Sequence, residues 1–153
     1  MLFKHINESK SFIQQSEEDK NIILLLLNKF IIEYQYCHSA SNKKVVIFEE
    51  GFMHKALSLF NGINNNNDSD KIESACINDI TKYLDLVPNP EILCIINISI
   101  DKSFHRLKKR GMTKRLKFTN DNVIKDYLSK SQTLINIIKE NKIKSNCKII
   151  ELE

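Results

Sequence analysis

Three short runs rich in β-branched and aliphatic residues, KVVIFE at 44–49, EILCIINI at 91–98 and CKIIEL at 147–152, are separated by stretches whose apolar residues recur every three or four positions. This alternation constrains the fold more than any other feature of the chain. Continuous apolar runs of strand length suit strands covered on both faces, and helices between such strands are crossovers of a parallel sheet. The expectation is an α/β fold of three layers, a parallel sheet flanked by helices, with the three runs lying parallel. With 153 residues there is room for one domain, 1–153, and one core.

The intervening helices have readable ends. Ser16 is placed to cap a helix over 17–38, with Glu17, Glu18 and Asp19 in its first turn where carboxylates suit the helix dipole. Its apolar stripe, from Ile23 through Leu27, Phe30 and Tyr34, is widened by Leu24, Leu25 and Ile32, which predicts burial on more than one side. A helix over 52–60 stops at Asn61-Gly62. The tract INNNNDSD at 63–70 holds too little apolar surface to order itself and is expected to be a mobile loop. Asp68 or Ser69 then caps a helix bearing Ile72, Cys76, Ile80, Tyr83, Leu84 and Val87, which Pro88 and Pro90 end. A helix begins at Asp101, and another runs from about 120 to 141 behind Thr119 or Asn120.

Composition excludes several classes. The apolar fraction of 42% and charged fraction of 27% are ordinary for a globular protein. A net charge of +4 permits an anionic partner but argues against a dedicated nucleic-acid binder. Cys37, Cys76, Cys94 and Cys147 form no C-x-x-C pair, so reduced and mostly buried thiols are expected. The longest apolar stretch, IILLLLNKFII at 22–32, is too short to cross a membrane and contains Asn28 and Lys29. MLFKHINESKSF lacks the features of a signal peptide, which points to a cytoplasmic protein.

Two polar clusters carry the chemistry. FEEG at 48–51 ends the first run, and a carboxylate there, beside a glycine that lets the chain turn, can hold a magnesium ion or accept a hydroxyl proton. Glu50 is the sharper candidate and Glu49 its neighbour. The bland reading, that both simply solvate the end of the run, carries similar weight. The second cluster is DKSFHRLKKRGMTKR at 101–115, where Lys102, Arg106 and Arg110 follow at i, i+4 on one helix face and Arg115 lies beyond Gly111. Guanidinium groups so arranged suit phosphate oxygens, although a charge run is most often a solvated face. His54 and His105 are read as incidental.

Taken together, a run ending in acid and glycine, then ILCIINISID, FHRLKKRG and a basic segment resemble the second half of a P-loop nucleoside or nucleotide kinase of the thymidylate-kinase-like group. The resemblance spans about residues 17–153. It implies an incomplete P-loop NTPase-like fold and transfer of a phosphoryl group from ATP, with Mg2+, to a small-molecule acceptor. Glu50 would take the acidic role, Glu49 and Glu50 the metal, and Arg106, Arg110 and Arg115 the phosphates. The departure is the G-x-x-x-x-G-K-[ST] loop, which none of Gly51, Gly62 and Gly111 begins. The chain is therefore expected to be a truncated or degenerate relative with negligible kinase activity by itself. The alternative is a non-enzymatic α/β binding module whose basic helix, 102–117, docks on nucleic acid or an acidic protein.

Overall fold

The computed structural model describes residues 1–40, 45–61, 74–111 and 119–152. Its elements are α1 (Leu2–Glu8), α2 (Lys10–Ile13), α3 (Glu17–Ala40), α4 (Phe52–Phe60), α5 (Ser74–Leu86), β1 (Ile92–Ile96), α6 (Ile100–Arg110), α7 (Asp121–Lys144) and β2 (Lys148–Leu152). The 63–70 tract, the 112–118 segment and the Asp68, Ser69 and Ile72 assignments fall outside the described residues.

The chain is mostly helical, and its described sheet has two strands, so the expected three-layer parallel sheet of a P-loop NTPase-like fold is not what forms. Two of the three expected strands do pair, and in parallel, Ile92 opposite Lys148 through Ile96 opposite Leu152. Residues 45–48 are irregular, with Val45 and Ile47 almost fully exposed, at 89% and 87%. A β-branched run becomes a strand only where a neighbour accepts and donates its backbone hydrogen bonds. Here β1 and β2 take each other, and Phe48 instead seats its ring against Phe30 and Tyr34, with centroids 5.3 and 5.6 Å away.

The strands are also covered on one face rather than two. Ile92, Ile96, Ile150 and Leu152 lie exposed, while Leu93 packs against the main core. The α7–β2 link fixes where β2 begins. Asn146 takes a positive φ of 59°, Cys147 N–H donates to the Lys142 carbonyl (3.0 Å) and Asn146 N–H to that of Ile143 (3.2 Å). This pattern is a Schellman cap with asparagine in the left-handed position, and it turns the chain into β2. Lys148 N–H then donates to the Glu91 carbonyl at 3.0 Å, starting the ladder.

The core lies among the helices. Ile6, Phe12, Leu27, Ala56, Leu59, Phe60, Ile80, Tyr83, Leu84, Leu134 and Ile138 are buried together. Residues 1–16 give α1 and α2. Asp79 of α5 fixes both: its carbonyl contacts His5 Nε2 at 2.8 Å, and its carboxylate accepts from the first backbone N–H of α2, Lys10, at 3.0 Å. The caps read from sequence at Ser16 and Asn120 are present, accepting from Asp19 N–H (3.1 Å) and Asn122 N–H (2.7 Å). Burial of α3 on more than one side is not found: Leu25, Ile32 and Tyr36 are 69%, 60% and 76% exposed. No described helix is long and apolar enough to cross a membrane.

Candidate functional site

At the carboxyl end of β1, Asn97 N–H extends the ladder by one bond to the Leu152 carbonyl (2.7 Å), and the chain then enters α6 through Ser99. Ser99 Oγ accepts from Lys102 N–H at 3.4 Å, and Asp101 occupies the first turn while Lys108, Lys109 and Arg110 fill the last. That distribution suits the helix dipole at both ends. At 3.6 residues per turn, Ile100, Ser103, Phe104 and Leu107 share one side of α6, and Lys102, His105, Arg106, Lys109 and Arg110 share the other.

Packing fixes which side faces out. Lys108 Nζ pairs with the Asp121 carboxylate, and Lys125 Nζ with Asp101 at 2.9 Å, so α6 and α7 are stapled at two levels. Both ammonium groups also lie over the Phe104 ring, 4.8 and 5.4 Å from its centre. Phe104 and Leu107 are half-buried, whereas Lys102, His105, Arg106, Lys109 and Arg110 are exposed. Among the described residues, neither Arg106 nor Arg110 forms an ion pair, so the guanidinium groups face solvent unneutralised.

A pocket of about 150 Å3 lies on the inner side of the same helix, lined by Ile96, Ile98, Ile100 and Ser103 and by Leu128, Ser131, Gln132 and Ile135 of α7. It is about half the smallest volume usual for ligand clefts, and the cations of α6 lie on the opposite side. Its polar rim is partly engaged, with Gln132 Nε2 donating to Asn97 Oδ1 at 3.1 Å. Ser131 Oγ is 2.6 Å from Nδ2 of the buried Asn61, whose Oδ1 has no partner among the described residues.

Glu49 and Glu50 lie at an exposed bend, and Gly51, with extended backbone, is the N-cap residue of α4. Glu50 is engaged locally. Its carboxylate receives the Lys55 ammonium at 2.7 Å and lies 4.0 Å from His54 Nε2. The hydrogen bond from Lys55 holds the Glu50 carboxyl below its ordinary value. The structure thus gathers Glu50 with Lys55 and His54, and gathers Arg106 with Arg110, but joins the two groups by no hydrogen bond or ion pair. Arg115 lies outside the described residues. Among the described residues, no three His, Cys, Asp or Glu side chains cluster as a metal site.

One unusual group escaped the sequence reading. Lys142 of α7 is 1% exposed, its ammonium donating to the Leu84 carbonyl at 3.0 Å and to Asn89 Oδ1. It satisfies a carbonyl at the end of α5, where Pro88 and Pro90 prevent the helix from continuing. Desolvation lowers its pKa, with Asp85 opposing that shift. Of the cysteines, Cys76 and Cys147 are buried and Cys94 is exposed, and none is in a disulfide.

Comparison with known proteins leaves the geometry to speak alone: no family model matches this chain, and neither curated proteins nor solved structures contain a significant match.

Proposed function

We propose that the chain is a non-enzymatic binding module that docks on a phosphate-rich polyanion through the exposed face of α6. The observation that carries this reading is the split of α6. Phe104 and Leu107 hold one side to α7, and Lys102, Arg106, Lys109 and Arg110 stand unopposed on the other. Because the helix that carries these cations is stapled in place, meeting an anion orders side chains but no backbone. Guanidinium groups one turn apart also offer paired donors to successive phosphates.

The phosphoryl-transfer reading drew its geometry from a sheet whose strand ends would carry Glu50 and the arginines to one rim. The chain does not build that sheet, and Glu50 spends its carboxylate on Lys55. What remains of the basic cluster is affinity for anions. Phe104 lies beneath two ammonium groups and offers no open ring for a base to stack on, so contacts run to phosphate rather than to bases.

Fluorescence anisotropy of a labelled oligonucleotide duplex, titrated with the chain at several salt concentrations, tests the reading. Binding should weaken with salt in proportion to the cations engaged, with a log–log slope of about −2 to −4. Arg110→Ala should weaken binding about tenfold, in line with a charge-assisted contact of roughly 1.5–3 kcal/mol. The far-ultraviolet circular dichroism should not change. Equal binding of wild type and Arg110→Ala, no binding at low salt, or equal affinity for polyglutamate would sink it.

A further inference from the structure

α3 carries two apolar faces, and only one is used. At 3.6 residues per turn, Ile23, Leu27, Phe30 and Tyr34 lie on one side and pack toward the core, Phe30 and Tyr34 against Phe52. On the far side Ile22, Leu25, Lys29, Ile32 and Tyr36 follow at alternating spacings of three and four, the seam of a coiled coil. Ile22, Leu25, Ile32 and Tyr36 are 46%, 69%, 60% and 76% exposed. Between the two faces runs a narrow uncharged strip, Asn21, Asn28 and Gln35, one residue every seven.

We infer that this seam is the interface of an antiparallel homodimer formed by α3 and its symmetry mate in a second copy of the chain. Charge selects both the occupant and its direction. A parallel pairing would set Lys29 against Lys29 of the mate inside an apolar seam. An antiparallel pairing sets Leu25 opposite Tyr36 of the mate and lays the Lys29 stem against Ile32 of the mate. The Lys29 ammonium then emerges beside Glu33 of the mate. Lys29 and Glu33 already lie 3.7 Å apart within one helix, so both charges sit at the seam edge. A two-fold axis repeats the intermolecular pair, which is the self-complementarity that an isologous interface requires. Opposed helices also set the positive dipole end of each α3 toward the negative end of the mate. The seam buries on the order of 1,000 Å2 in total, enough for a weak specific dimer.

Light scattering on the full chain across a dilution series up to about 100 μM reads the equilibrium at the micromolar affinity such an area supports. A mass approaching twice that of the chain is expected, reverting to a monomer in Leu25→Glu with unchanged circular dichroism. Register is read by crosslinking in a Cys37→Ser, Cys94→Ser background. Leu25→Cys with Tyr36→Cys should oxidise to a covalent dimer, and Leu25→Cys alone should not. A chain monomeric throughout, a dimer indifferent to Leu25→Glu, or efficient crosslinking by Leu25→Cys alone would overturn the inference. A second substitution on the seam, Ile32→Lys, should dissociate the dimer as Leu25→Glu does, and persistence of the dimer in that variant would also overturn it.

Discussion

α3 and α7 are both 24-residue helices rich in Ile and Leu, yet they serve the fold in opposite ways. α7 packs against α4, α5, α6 and β2. Ile124, Leu134 and Ile138 enter the apolar interior, Lys125 staples α6, Lys139 pairs with Glu151 on β2, and Lys142 closes the end of α5. α3 leans on α4 with one face and leaves a second apolar face in solvent. Apolar content alone therefore does not locate a core helix. What distinguishes α7 is that Lys125, Lys139 and Lys142 bond to other elements, so rotating or sliding it would break specific bonds as well as contacts.

The sharpest way to test that contrast is to cut into α7. Leu134 of α7 is 1% exposed within the helical core, and Leu134→Ala removes buried methylenes and leaves a cavity. A loss of about 2–5 kcal/mol is expected, read as the shift of the urea midpoint. A loss below about 1 kcal/mol would mean that α7 is no more central than α3.

A smaller effect with a distinctive pH signature is expected at Lys142. Its burial lowers the pKa from an ordinary value of 10.5, so the folded chain binds fewer protons there than the unfolded chain as pH rises through the depressed value. In that window stability increases with pH, because the penalty for burying the charge is relieved by deprotonation, and the gain is complete above the unfolded pKa. Lys142→Met keeps the volume, removes the titration and leaves the Leu84 carbonyl without its donor. At neutral pH the two effects oppose, and the net change should stay within about 2 kcal/mol. The decisive measurement is the alkaline limb of stability against pH, which should flatten in Lys142→Met; an unchanged limb would assign the titration elsewhere.

Much of this contrast was readable before the fold was known, and the unreadable part has physical causes. The caps at Ser16 and Asn120, the stop at Pro88 and Pro90, and the buried face from Cys76 to Val87 depend on neighbours within a few residues, so local chemistry dictates them. The parallel pairing of β1 with β2 followed from two apolar runs that found each other. Residues 45–48 have the same composition but no partner strand among the described residues, and composition cannot report a missing partner. α1 and α2 are too short to hold themselves together and form because Asp79 and the α5 surface receive them. Lys142 lies in a helix where lysine normally marks the wet side, and its burial depends on where α5 ends. At the candidate site, the cationic face of α6 was legible from i, i+4 spacing. Whether Glu50 shares a site with those cations depended on tertiary placement, and the bond it makes to Lys55 spans five residues.

The smallest expected effect tests the contrast within α3 itself. Leu25 and Leu27 are two residues apart in one helix and chemically identical, but Leu27 is fully buried while Leu25 is 69% exposed. Helix propensity cancels in the comparison, since the same substitution to alanine is made at neighbouring positions of one helix. Leu27→Ala should therefore cost about 2–5 kcal/mol through its cavity, and Leu25→Ala no more than about 0.5 kcal/mol either way. That second figure holds when unfolding is followed at about 1 μM, where an association of micromolar strength contributes little. At a hundredfold higher concentration, any partner bound to the outer face adds its own stabilisation by mass action, and Leu25→Ala should then cost measurably more. The difference between the two concentrations isolates the outer face of α3 from the inner one. A cost for Leu25→Ala that is large and independent of concentration would place Leu25 inside the core and dissolve the distinction between the faces.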